Sequence, residues 1–514
     1  MSSSSTQSVS VPIRPSATYQ FPVYRWIGWL AVAGFAIGLV AMFFIAGMIG
    51  WPAPMLWASV VTLFTFGALL LDRPKSLLLV MMFYFLMIPS NRLLGILPIP
   101  LLGRMNKYFF VPFLAVIVMN WIQRRQLKES TIFPLAFLLV TGLSWYVNGQ
   151  PSIGTTVQIT MVMMRLYILW YFCRLTSTFE NERQMLKWVW GFVIYVAVQY
   201  VYNIFWQSGL WLRFHPDRSG GVFGPFSQGG AHLVGYLSVY ALLLIVGWWI
   251  GARSSGLARQ RKWMILLGIV IAYNLIFMTD TKHALVMVPI AFAPFLAHPR
   301  FSRQLKLGLT FASVFFFVAS FAYLQTSTGR RDIQRYWDAF TNSPKAKMFY
   351  AVTVDFHHLV PYPILGAGPG RFASDAGVAG RSHLARRYVI PYEDENRRLG
   401  YLLKGGSVVS ASIVGNPRSD VLILAGEYGW AGVAVFWTFW FWVVYRLVRK
   451  SLEAPRASYR AGILLALACC LIFQAMIMSL TTLLILPAMT YPIWMLVGRM
   501  WDMPNELPER QEAA

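Results

Sequence analysis

The sequence predicts an all-α fold: a polytopic membrane helix bundle of about 14 transmembrane helices with one large, partly helical extracytoplasmic loop between spans 11 and 12. Three observations predict it. Of 514 residues, 57% are hydrophobic and only 12% are charged, against about 25% charged in ordinary globular chains. The mean hydropathy is +0.54, with 37 Phe and 21 Trp. The apolar residues also fall in long runs separated by short basic stretches. Soluble-enzyme, collagen-like, disordered and disulfide-rich secreted classes are excluded. Cys173, Cys469 and Cys470 all lie in apolar stretches, so they have no extracytoplasmic disulfide framework to build. Stability is expected from helix packing in lipid.

Spanning the hydrocarbon core takes roughly 17 to 25 apolar residues. The candidate runs are 25–48, 53–71, 76–90, 107–122, 131–147, 154–173, 186–208, 231–251, 263–279, 281–297, 306–324, 420–445, 461–479 and 480–498. The third and fourth are short enough to be re-entrant segments instead. The implied organisation is a cytoplasmic N-terminal tail (1–24), a bundle of about eleven spans (25–324), a loop domain (325–417), about three more spans (418–500) and a cytoplasmic C-terminal tail (501–514).

Basic residues in short loops set orientation, because cytoplasmic loops retain them. With the N-terminus inside, 24 of the 44 Lys and Arg fall in cytoplasmic loops or tails, from Arg14 to Arg510. Only six occupy short outer loops: Arg92, Arg104, Lys107, Arg213, Arg218 and Lys282. An even number of crossings puts both tails in the cytoplasm. The Ser-rich start lacks the basic-then-apolar design of a cleaved signal peptide, so no removal is expected.

The outer segment 325–417 is the anomaly. Its 93 residues carry 12 basic and seven acidic side chains, a net charge of +5. Ile333, Tyr336, Trp337 and Phe340, then Phe349, Tyr350 and Val354, recur at helical spacing, which predicts helices lying at the membrane surface. The run PYPILGAGPG at 361–370 then breaks helix and lets backbone approach a ligand closely. Structureless loops of this length are usually functional; the plainer alternative is a solvated cap over the bundle.

Four local features resemble the O-antigen polymerase and O-antigen ligase superfamily of bacterial inner-membrane glycosyltransferases. RSGGVFGPFSQGG, beginning at Arg218, is similar to an arginine, glycine, phenylalanine pattern entering a helix. Thr279 to Ala284, with Lys282, stands where the family commonly has Ser-Arg at the outer end of a span. PILGAGPGRF, from Pro363 to Phe372, resembles the family's Pro-Leu-Gly-x-Gly-x-Gly-x-Phe stretch. Asp420 to Leu422, followed by Glu427, Tyr428 and Gly429, resembles its loop exit. The resemblance spans roughly residues 200 to 450 and rests on the order and membrane side of these motifs. Ligases carry a His-Asn pair where this chain has Arg418 and Ser419, which favours a polymerase over a standard ligase.

The resemblance implies a multi-pass protein of the bacterial inner membrane with a periplasmic loop. It would polymerise undecaprenyl-diphosphate-linked oligosaccharide repeat units into O-antigen or exopolysaccharide. Its implied partners are the lipid-linked oligosaccharide, a glycan or lipid-core acceptor, membrane lipids, and chain-length regulator and flippase proteins. The alternative within the superfamily is a ligase moving finished glycan to a second lipid acceptor, as in lipopolysaccharide assembly. From another class, a lipid-linked oligosaccharide flippase would suit the span count, but short outer loops and two related halves are expected of it.

A departing diphosphate needs fixed cations, since Arg grips phosphate oxygens bidentately and Lys acts as a point charge. Arg218, Lys282, Arg335, Arg371 and Arg418 fall on the predicted outer side. Arg165 sits mid-span, where a cation is costly and usually faces the bundle interior; its expected role is supporting the phosphate site. An acceptor hydroxyl needs a base, and His357, His358, Asp420 and Glu427 are the leading candidates, with His383 behind them. No cofactor and no metal are expected, for want of an Asp-x-Asp element or a His/Cys cluster at ligand spacing. A Walker phosphate loop is also missing from the sequence. Nucleic acid is not an expected partner, because 24 of the basic residues fit ordinary membrane topology.

Overall fold

A computed structural model of the chain describes residues 131–149, 151–202, 230–252, 258–273, 282–299, 303–325, 344–392, 418–455, 458–481 and 487–504, together with residues 113, 114, 117, 118, 121, 330 and 394. The chain divides into two compact units, Met1–Leu77 and Leu78–Ala514; every described residue belongs to the second. The first three predicted spans, most of the fourth, the N-terminal tail and the C-terminal tail beyond Pro504 lie outside the described residues.

Among the described residues the fold is all-helical, with no strand. In chain order the helices are α1 (Ile132–Val147), α2 (Ile153–Thr176), α3 (Glu182–Tyr202), α4 (Gly230–Ala252), α5 (Ala258–Tyr273), α6 (Lys282–Ala291), α7 (Ala293–Ala297) and α8 (Arg303–Gln325). Within the long segment come α9 (Pro344–Tyr350), a π-helical turn (Ala351–Asp355), α10 (Phe356–Leu359), a 3-10 turn (Pro363–Leu365), α11 (Asp375–Ala379) and α12 (His383–Tyr388). The chain then enters α13 (Asp420–Glu453), α14 (Tyr459–Leu480) and α15 (Pro487–Met500).

Among the described residues, four helices are long and apolar enough to cross a membrane: Ile153–Thr176, His232–Gly251, Asp420–Glu453 and Tyr459–Leu480. The outward faces of the shorter helices point the same way. Phe311, Phe315 and Val318 on α8 are each more than half exposed, and their i, i+4, i+7 spacing makes one apolar stripe. Leu135, Leu139 and Leu143 form another on α1. Outward stripes of this size are suited to lipid.

Two predicted elements differ from the observed ones. The run 281–297 is interrupted at Phe292, giving α6 and α7, because Pro289 and Pro294 each remove a backbone donor. The run 420–445 extends to Glu453 and is broken at Gly429, whose φ of 67° and ψ of −171° are not helical.

The bundle packs α14 against α4 and α13, α15 against α2, and α13 against α1. At the α4–α14 crossing a Cβ on Gly462 would lie 2.0 Å from the carbonyl oxygen of Gly247, so this contact requires glycine, as in small-residue packing of membrane helices. The core is aromatic. Trp440 and Trp494 meet with ring centroids 4.9 Å apart. Their polar edges are satisfied internally: Trp440 Nε1 donates to Leu471 O at 3.0 Å, and Trp494 Nε1 to Gln474 Oε1 at 3.1 Å. Such pairing is needed where water is excluded. Arg499 lies between the rings of Phe179 and Trp188, 4.1 Å from each centroid, and donates from Nε to Ser177 O. The three cysteines are buried and free.

Candidate active site at a broken helix

The glycine-rich run at 361–370 packs its backbone onto protein rather than leaving it open to a ligand. Ala367 N donates to Gly426 O at 2.8 Å and Gly368 N to Glu427 O at 3.1 Å, so the turn continues hydrogen bonding from the end of the first segment of α13. Gly366 has φ 72°. A Cβ there would lie 2.5 Å from Gly429 N, and one on Gly429 would lie 2.2 Å from Ile364 O. The helix break and the turn therefore require glycine on both sides.

Helix α1 supplies the ledge beneath. Ser144 Oγ donates to Leu365 O at 2.6 Å and lies 3.1 Å from Glu427 O. Asn148 Nδ2 donates to Gly366 O at 3.0 Å. These two residues are one turn apart on an otherwise apolar helix, a polar i, i+4 pair that the sequence reading missed. It was visible there as the only signal for a contact 220 residues away.

Glu427 is fully buried and acts as a clamp. Its Oε2 accepts from Gly370 N at 2.8 Å, and its Oε1 accepts from Phe372 N at 3.3 Å and Ser374 N at 2.9 Å. A buried carboxylate of this kind is sustained by charge-assisted bonds from backbone donors. Its geometry suits holding residues 370–374, not meeting an acceptor. Asp420 is also fully buried, at the start of α13, where Ser419 caps the helix by accepting from Leu422 N.

The cations are placed differently from one another. Arg371 follows the first clamped amide and precedes the second, so its backbone is fixed on both sides. Its Nη2 reaches Gly149 O at 3.4 Å, and its own carbonyl accepts from Ser382 Oγ. Arg418 Nη1 pairs with Asp375 at 2.8 Å, one residue beyond the clamped Ser374. Arg165 is buried in α2 and donates from Nη1 to Tyr491 Oη at 3.2 Å; its guanidinium carbon is 5.7 Å from that ring. It is thus in the bundle interior, and the described contacts tie it to α15. Lys282 is the first residue of α6. Arg218 and Arg335 lie outside the described residues.

His357 and His358 are exposed on α10, and His383 is exposed at the start of α12. Phe356, on the same turn as the histidine pair, packs its ring 5.1 Å from that of Phe372, which joins this turn to the clamped stretch. The predicted surface helix around Ile333 to Phe340 is outside the described residues; Phe349 and Tyr350 do fall in α9. Burial pushes the Lys345 ammonium of α9 down to about 8, and its Nζ donates to Leu480 O at the end of α14.

Taken together, Glu427, Arg371, Arg418 and the 366–370 turn form one hydrogen-bonded constellation. Within it the Arg371 guanidinium reaches Gly149 O and the Arg418 guanidinium is paired with Asp375. No protein-family model matches the sequence, and no curated protein matches it.

Proposed function

We propose that the chain is a glycosyltransferase of the bacterial inner membrane that polymerises undecaprenyl-diphosphate-linked oligosaccharide repeat units into O-antigen or exopolysaccharide on the periplasmic side. The observation that carries this reading is the clamped backbone on either side of Arg371. A cation whose main chain is fixed by Glu427 costs little reorganisation when a diphosphate takes on charge, and such preset charge is commonly the largest catalytic term. Arg418, tied to Asp375 beside the clamp, is the second cation. Arg218, Lys282 and Arg335 complete the proposed phosphate-holding set, with Arg165 supporting it from within the bundle.

In this reaction an acceptor hydroxyl oxygen bonds to the anomeric carbon of the donor. The bond from that carbon to the diphosphate oxygen breaks, and the lipid diphosphate leaves with the electron pair. The hydroxyl proton passes to a base. His357 and His358 are exposed and can meet an acceptor; Asp420 and Glu427 are buried and serve by shaping the site. Repeat-unit carriers and a glycan acceptor are the substrates of this activity, and chain-length regulator and flippase proteins are its proposed partners in the cell.

Reconstitution with one defined lipid-linked repeat unit tests the proposal. A polymerase yields a ladder of longer lipid-linked chains with no second acceptor. Transfer that occurs only when a different lipid acceptor is added would make the chain a ligase. Movement of the lipid across the bilayer with no new glycosidic bond would make it a flippase.

A further inference from the structure

A cleft lies in the same long segment, on different elements from the clamp. It has a volume of about 430 Å³ and is lined by Lys347, Tyr350, Asp355, Arg387, Tyr388 and Tyr392, within the roughly 300 to 1,000 Å³ usual for small-molecule sites. Three elements meet there: α9 brings Lys347 and Tyr350, the π-helical turn ends in Asp355, and α12 brings Arg387 and Tyr388. π-helical turns are rare and recur at functional sites.

The groups are sorted by chemistry. Tyr388 Oη donates to Asp355 Oδ2 at 2.8 Å. Burial first, and then this bond, push the Tyr388 phenol up to about 12, so it stays a donor and leaves Asp355 Oδ1 for another hydroxyl. Lys347 Nζ stands 5.4 Å from the Tyr392 ring centre, and Arg387 Cζ 5.2 Å from that of Tyr388. The rings hold the cations in place by cation–π attraction. Among the described residues no carboxylate forms an ion pair with either cation. Tyr350 keeps 60% of its surface exposed, an open aromatic face beside the charged groups.

An open ring face, an acidic hydrogen-bond acceptor and two cations with no ion-pair partner among the described residues match one ligand class. The face suits the apolar side of a pyranose, Asp355 Oδ1 suits its hydroxyls, and Arg387 with Lys347 suits an acid group. We propose that this cleft is a binding subsite for an acidic saccharide, holding a negatively charged sugar of the growing or incoming glycan. The assignment rests on the reading of the chain as a glycosyltransferase only for the ligand's origin, not for its binding.

The test is calorimetric titration of the full-length protein in nanodiscs, without donor lipid, using hexagalacturonate, maltohexaose and inorganic phosphate. Hexagalacturonate should bind at least tenfold more tightly than maltohexaose. Arg387→Gln and Lys347→Gln should each weaken it about tenfold, and Tyr350→Ala should weaken it comparably, all with wild-type thermal unfolding. Equal affinity for maltohexaose would overturn the proposal, as would unchanged affinity in the two charge variants. So would complete displacement by inorganic phosphate at matched ionic strength, which would leave a plain anion site. The two readings fail separately. Preferential hexagalacturonate binding in a protein that forms no glycosidic bond from the lipid-linked donor, with or without a second acceptor, removes the glycosyltransferase reading and keeps the cleft; glycan transfer without that preference does the reverse.

Discussion

Glu427 and Gly370 are joined by a 2.8 Å bond from backbone nitrogen to carboxylate oxygen, across 57 residues of sequence and from a loop to a membrane-length helix. With Phe372 N and Ser374 N on the other oxygen, this one side chain decides the course of the loop beside the proposed site. Glu427→Ala should therefore leave two buried donors and one half-buried donor without an acceptor. At roughly 1–3 kcal/mol for each unsatisfied group, the loss is about 3 kcal/mol or more. Glu427→Gln, which keeps one oxygen, should lose less. Thermal unfolding of the purified variants in detergent measures both, and equal stability of Glu427→Ala and wild type would remove the clamp.

Glycine requirements separate by site. Gly429→Ala and Gly366→Ala place a Cβ against backbone at 2.2 Å and 2.5 Å in a positive-φ conformation with ψ near 180° that is essentially restricted to glycine and itself costs about 1–3 kcal/mol. Both should fail to accumulate as folded protein. Gly191→Ala, on α3 with nothing within 4 Å of the added carbon, should instead gain about 0.5–1 kcal/mol. Size-exclusion profiles of fluorescently tagged variants distinguish these outcomes.

Arg418→Ala breaks a partly exposed ion pair with Asp375, a contact contributing at most about 1 kcal/mol. Its unfolding temperature should therefore stay near wild type. Its rate of glycan transfer should fall by about 10²-fold if the guanidinium stabilises the leaving diphosphate, and Arg371→Ala should fall at least as far. Wild-type turnover in both would leave the diphosphate without its proposed holder.

Lys345 gives a pH signature. Its folded-state value of about 8 lies below the ordinary 10.5 because the ammonium is buried. Between those values the unfolded chain holds a proton that the folded chain has lost, so stability rises with pH across that window. Below about 8 both states are charged and the burial penalty is present in full. The difference in unfolding temperature between wild type and Lys345→Met should therefore shift in favour of wild type from pH 8 to 10. A pH-independent difference would show the ammonium to be solvated.

Much of the helix placement was legible because long apolar runs bounded by basic residues have few alternative structures. Runs 154–173, 231–251 and 461–479 match α2, α4 and α14 closely. The break at Gly429 was not legible, since a single glycine in an apolar helix is ordinarily tolerated and its necessity comes from Ile364 O, 65 residues earlier. The same limit applies to Glu427. An acid near a helix end reads equally well as a base or an ion-pair partner, and only the three amides converging on it settle its geometry. Asp355 and Tyr388 escaped notice because their pairing depends on a π-helical turn that side-chain spacing does not announce. His357 and His358 were found by residue type, and the fold adds their exposure.

Because Gly426 and Glu427 hand their carbonyls to Ala367 and Gly368, the long segment between α8 and α13 is not an appendage that can be trimmed away. Excising it would strip hydrogen-bond partners from buried backbone of α13. The long segment and the helix bundle thus mature as a single cooperative unit, and a deletion designed to isolate the bundle would undo the bundle.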